Sequence, residues 1–233
     1  MTMSSEVLAR WDFGDPAGSR ARFEEAARAE TDPGRRRVWL TQVARAHGLA
    51  EEFGEAHAVL DGLEEDGRVA LERGRLLRSS GDVAGSIPLF RKAFEESLAA
   101  GERGLAADAA HMLAIVLPQE HERWAHIGLE VAEGSDDPLA QAMTGALLNN
   151  LGWKHADEER WAEAHELFDR AVGAREAVAK AVPGKASAES LHVARWCRAR
   201  AARALGRHEE ALAELRELDQ SDPHVQDEIR LLS

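Results

Sequence analysis

The chain has 233 residues, 44% of them hydrophobic but only 5% aromatic, and its 29 basic and 42 acidic side chains leave a formal charge of −13. That balance argues against general binding to nucleic acid or to an anionic lipid surface, since both need a basic footprint. The single cysteine, Cys197, excludes an intramolecular disulfide framework and suits a reducing compartment.

The opening, MTMSSEVLAR, lacks the basic region and apolar run of a signal peptide, and the longest apolar stretch, residues 112–117, is too short to span a bilayer. A cytoplasmic protein with no membrane contact is expected. In chain order, a half unit at Phe23 and Ala26 comes first and predicts a partial helix pair over about residues 5–32. The next unit, about 37–65, places Ala44 in a first helix and Ala56, Leu60 and Leu63 in a second. Residues 67–100 repeat the same offsets with Gly74, Ser86, Phe90 and Ala93, and Gly81 falls at the turn. Leu113, Ala125, Leu129 and Ala132 follow in 104–135, then Gly152, Ala164, Phe168 and Ala171 in 140–181. The fifth unit, 190–221, carries Ala199, Ala211, Leu215 and Leu218, with Gly206 at the turn. Val225, Ile229 and Leu232 predict a capping helix over 223–233.

Constant offsets of this kind describe antiparallel helices that meet at close range, with small residues where the backbones approach. One such pair cannot bury its own apolar face, so pairs stack and bury it for each other. Asp-Pro steps at Pro33, Pro138 and Pro223 are read as closing units. The small–Ala–Phe–Ala spacings, turn glycines and Asp-Pro steps together resemble the tetratricopeptide repeat (TPR) family, from about residue 19 to the end. The resemblance implies an all-α, right-handed solenoid of antiparallel helix pairs with a C-terminal capping helix, one domain over residues 1–233. Three departures stand out: the chain has no tyrosine, the repeat interval is uneven, and Arg198 fills a slot that is usually apolar. Lengthened helices and loops are therefore expected.

In TPR-like stacks the first helix of each pair lines the concave side. The slots carried over by the resemblance are Val38, Thr41, Arg45 and Gly48; Arg68, Leu71, Arg75 and Arg78; Ala107, Ala110, Ala114 and Leu117; Ala146, Asn149, Trp153 and Ala156; and Val193, Trp196, Arg200 and Arg203. Arginine recurs among them and no acid does. A guanidinium fork holds a carboxylate or phosphate through two parallel hydrogen bonds. The expected work is that of a protein- or peptide-binding scaffold or adaptor, with an extended acidic peptide in the groove. Arg75, Arg78, Arg200 and Arg203 would take its charges, Asn149 and Asn150 its backbone, and Trp153 and Trp196 its apolar side chains.

The alternative is a small-molecule sensor or enzyme with a closed pocket around His111, Asn149, Asn150 and Trp153. Long helices narrowing a pocket near residues 160–181 would favour it, and an open channel would favour peptide. A third alternative is a scaffold that self-assembles into a homo-oligomer through its end repeats. Chemistry is thinly signalled. His121 and His126 are five apart, which leaves their rings about 140° apart around a helix, so they suit no zinc site. Asp108 and His111 share a helix face, and Cys197 lies among arginines as a packing residue. No Gly-rich phosphate loop or Gly-x-Ser-x-Gly elbow occurs, so no catalytic residue, metal or cofactor is expected.

Overall fold

The computed structural model describes residues 2–232, so Met1 and Ser233, the two ends of the expected domain, lie outside the described residues. Among the described residues there are thirteen α-helices and no strand. They are α1 (Met3–Arg10), α2 (Pro16–Ala29), α3 (Pro33–Leu49), α4 (Phe53–Asp61), α5 (Gly67–Ser79), α6 (Val83–Ala99) and α7 (Arg103–Val116). Then come α8 (His121–Ala132), α9 (Pro138–Asp157), α10 (Trp161–Ala181), α11 (Lys185–Ala204), α12 (His208–Arg216) and α13 (Pro223–Arg230). None of these is long and apolar enough to cross a membrane.

Aspartates start many of these helices. Asp15, Asp32, Asp66, Asp82, Asp137 and Asp222 each accept a backbone N–H from the first turn that follows. The Asp-Pro steps therefore correct one expectation: Pro33, Pro138 and Pro223 open α3, α9 and α13 rather than closing the helix before. Proline fits the first helical position because its missing N–H would be unbonded there in any case. Helix ends use a left-handed residue. Gly81 and Gly206 have φ of 98° and 76°, and the Asp82 and Arg207 N–H groups donate back to the Leu77 and Ala202 carbonyls. Glu51 and Glu159 hold the same turn position at φ of 60°, and Glu52 and Arg160 make the matching bonds to His47 and His155.

Consecutive helices pack on one another from α2 onward, and α3 also lies beside α5 and α7 beside α9. The repeat positions read from the sequence form the contacts. Phe90 packs against bare Gly74, where a Cβ would come within 2.6 Å of its ring, and Phe168 packs in the same way against Gly152. Ala56, Leu60, Leu113, Ala125, Ala164, Ala211 and Leu215 are fully buried. Each buried Phe or Leu contributes about 1.5–3 kcal/mol. Arg198, in its apolar slot, forks onto Glu214 at 2.6 Å and meets Asp169 at 2.6 Å, tying α11 to α12 and α10. Val225 of α13 is buried with Leu215 and Leu218, and Ile229 and Leu232 pack against them.

The N-terminus departs from the expected half pair. α2 packs along α3, whereas α1 packs against α9 and α11 at the other end of the chain. Its Val7 and Met3 join a cluster of Trp11, Phe23, Trp39 and Val43 that also receives Ala186 of α11. Trp11 is 3% exposed, and its Nε1 donates to Gln42 Oε1 at 2.9 Å. Lys185 and Asp12 meet at 3.0 Å across this junction.

Candidate functional site

Where α1 packs on α3, α9 and α11, a cavity of about 490 Å³ lies between them, partly open to solvent. Its wall takes residues from α1, α3, α5, α7, α9, α11 and the C-terminal end of α10. Val7, Leu105, Leu139, Met143 and Val178 give it an apolar surface, and Arg45, Glu72, Asp108 and Arg175 give it charge. A second cavity of about 250 Å³ shares Arg45, Glu72, Asp108 and Met143 with the first and continues to Arg75, Arg78 and His111.

The charges divide into paired and unpaired groups. Arg75 donates to Glu72 Oε1 and to Asp108 Oδ1, both at 2.5 Å, and both acids are 3% exposed. Burial by itself would raise the Asp108 carboxyl, but Arg75 and then Arg45 outweigh it and hold it below the usual carboxylate range. Burial likewise opposes the charge on Arg75, and the two carboxylates more than restore it. His111 is lowered to about 4, first by burial and then by Arg75, Arg175 and Arg45, against the pull of Asp108. It is therefore neutral at pH 7, and its Nε2 accepts from Asn150 Nδ2 at 2.9 Å.

Arg45 and Arg175 have no ion pair or hydrogen bond from their guanidiniums among the described residues. Arg45 lies over the Trp11 and Phe13 rings, at 5.4 and 5.6 Å from their centroids, and burial lowers its pKa. Arg175 crosses α9 at Gly145, where a Cβ would stand 2.6 Å from its Nε. Burial lowers it to about 10, with no carboxylate to oppose the effect.

The structure separates the residues expected to form one groove. Arg75, Arg78 and His111 lie along the second cavity, with Arg78 exposed at the rim, and Asn150 is joined to them only through its bond to His111. Trp153, Trp196, Arg200 and Arg203 form a second group near α13. Trp153 and Trp196 are 5.9 Å apart, and the Arg200 guanidinium lies 5.3 and 5.6 Å from their ring centres. Glu228 of α13, 3% exposed, meets Arg203 at 2.5 Å and Arg200 at 3.6 Å, and Trp196 Nε1 donates to the His224 carbonyl at 3.2 Å. Asn149 joins neither group, and its Oδ1 is buried without a hydrogen-bond partner.

Two expectations need correction. The inner wall is not free of acid, since Glu72 and Asp108 stand in it. In α7 the wall is made by Leu105, Asp108, His111, Met112 and Ile115, while Ala107, Ala110 and Ala114 are buried in the core. That helix is packed on nearly every side by its neighbours, so its alanines serve close helix contacts and its larger residues reach the cavity. Asp108 bonds Arg75 and not His111. The reading of the sequence missed Arg175 altogether, together with the wall made by α1. Gly145 was the available signal, because a glycine inside a long helix marks a place where another group comes close. Elsewhere, the Cys197 thiol is pushed up to about 12 by burial. His121 Nδ1 lies 3.1 Å from the Ala114 carbonyl, and no group of three or more metal-binding side chains forms among the described residues.

The sequence matches no family model and no curated protein. The structure is similar to the crystal structure of BtubC (BKLC) from P. vanneervenii, with a TM-score of 0.61. That likeness covers 95% of this chain and 92% of the other at 17% identity. At this identity it speaks to the fold alone: an all-helical chain whose helices follow one another over nearly its full length.

Proposed function

We propose that this chain is a TPR-like helical solenoid that works by recognition, holding a small ligand in the cavity between α1 and the first helix of each pair. The observation that carries this reading is the cavity itself. A cavity of about 490 Å³ with apolar walls and a few convergent charges falls within the ~300–1,000 Å³ typical of ligand sites. The long α10, which brings Arg175 and Val178 into the wall, is the feature that favours a pocket over an open channel. The extended-peptide reading has less support at the cavity, where Arg75 is already held by Glu72 and Asp108.

A second reading keeps the peptide at the other group of residues. There Glu228 already seats a carboxylate on Arg200 and Arg203 beside two tryptophans, so an acidic peptide that displaced α13 would find the same partners.

The first reading is tested with N-phenyl-1-naphthylamine, a neutral apolar fluorophore whose emission rises in an apolar site. Saturable one-to-one binding is expected for the wild type and is expected to be lost in Met143→Trp, which fills both cavities. Absence of saturable binding, or equal binding by the filled variant, would overturn the reading.

A further inference from the structure

Arg175 is the charge that the fold itself does not use. Gly152 and Phe168 mark one crossing of α9 and α10, and seven residues back along α9 and on along α10 stand Gly145 and Arg175. The same step in the α5–α6 pair leads from Gly74 and Phe90 to Gly67 and Ser97, where a Cβ on Gly67 would lie 2.9 Å from the serine Oγ. One pair thus fills this crossing with a small buried hydroxyl and the other with a guanidinium. Packing does not require a cation there. An uncompensated charge taken out of water costs stability unless something binds to it.

A guanidinium binds an anion, and its fork fits a carboxylate or a phosphate. Glu72 and Asp108 are both held by Arg75, which leaves no carboxylate on Arg175. Around the same cavity Arg68 pairs with Glu102, Lys185 lies between Asp12 and Glu189, and Asp137 accepts the Leu139 N–H at the start of α9. His111 accepts a hydrogen bond from Asn150 and adds no charge at neutral pH. With Glu102, Asp137 and Glu189 in the same lining, a singly charged ligand meets less repulsion than a phosphate monoester, with a charge of about −1.5 to −2. Val7, Leu139, Met143 and Val178 offer apolar contact, and Ser4, Gln42, Ser187 and Ser190 add polar groups to the lining.

We propose that the cavity binds an amphipathic organic monoanion, its carboxylate held by the Arg175 fork and its apolar body lying against Val7, Leu139, Met143 and Val178. This rests on reading the cavity as a ligand site and names the class of ligand. Arg45, stacked on Trp11 and Phe13, closes the polar side of the same space.

The test is calorimetric titration of the full chain with dodecanoate and, separately, with dodecanol, below the concentration at which either aggregates. Dodecanoate is expected to bind at least tenfold more tightly than dodecanol, and Arg175→Leu is expected to abolish that preference. The same substitution is expected to raise the denaturation midpoint of the free protein, because it removes an unpaired charge. Gly145→Ala is the second variant: its Cβ displaces the Arg175 side chain without touching its chemistry, and the preference should fall there too. Equal affinity for the acid and the alcohol would overturn the proposal while leaving the cavity a ligand site. A preference that survives in both variants would overturn it as well, placing the carboxylate elsewhere. No binding of either compound would sink both the proposal and the reading beneath it.

Discussion

His111 links the charge of the cavity to the stability of the chain. Its imidazole stays neutral because it is buried beside three guanidiniums and because Nε2 must accept from Asn150. Held at about 4 in the folded chain and near 6.5 when unfolded, it takes up a proton only by unfolding anywhere between those values. Its contribution is therefore complete above about pH 6.5 and is lost as the pH falls toward 4, by about 3 kcal/mol in all. Asp108 acts lower down: its carboxyl is depressed, so its contribution is present above the unfolded carboxylate range and fades as the pH falls through its folded value. Denaturant midpoints measured from pH 7 to pH 4 should fall for the wild type. They should fall much less for His111→Gln, which keeps an acceptor for Asn150 and cannot titrate; equal slopes would show that another group is responsible. At this scale the sequence was only half legible. Asp108 and His111 could be placed on one helix face by spacing, but the partner that claims Asp108 is Arg75, 33 residues away on α5. Such a pairing depends on how two helices are rotated against each other, and a single chain of letters does not contain that rotation.

Helices were far more legible than their inner faces. The offsets that place Gly74 against Phe90 and Gly152 against Phe168 are local, and so are the aspartate caps and the left-handed turn residues, so pairing could be read directly. α13 could be read in the same way, from Val225, Ile229 and Leu232, but its polar side could not. Glu228 lies on it as the counter-charge of Arg200 and Arg203, two residues expected to await a partner's acid. An end helix that covers the last apolar face of a repeat array is generally needed to keep that face from water. Glu228→Gln should therefore cost about 1–2 kcal/mol, a value below that of a fully buried pair because both arginines keep some contact with water. Ending the chain at Ser221 should go further, baring Trp196, Leu215 and Leu218. Hydrogen exchange should then quicken in α11 and α12 and stay unchanged in α5 through α8. Uniform quickening along the whole chain would mean that α13 supports more than its neighbours.

Across the whole molecule, α1 alters what kind of object the chain is. In a simple array each unit touches only its neighbours, so stability is close to a sum over units and one end can unravel without the other. Here eight residues at the N-terminus pack against α9 and α11, and Lys185 meets Asp12 across 173 positions of sequence. The exposed ion pair itself is worth about 0–1 kcal/mol. The strength of the junction comes instead from Trp11, 3% exposed with its indole N–H satisfied, and from Val7 and Met3 packed in the same cluster as Ala186. A tie of this kind makes the two ends fold together, since opening either one exposes apolar surface that belongs to both. Deleting residues 2–14 should therefore do more than lower the midpoint of unfolding. The dependence on denaturant should become shallower, and fluorescence of Trp39 and of Trp196 should cease to report one shared transition. Coincident transitions in the shortened chain would mean that contacts between neighbouring pairs already couple its ends. The same junction forms one wall of the cavity, so a ligand that fills the space beside α1 leans on it once bound. Dodecanoate should accordingly slow hydrogen exchange in α1 more than in α5 or α6. Protection confined to α11 and α13 would instead place the ligand with Arg200 and Arg203, at the far group of residues.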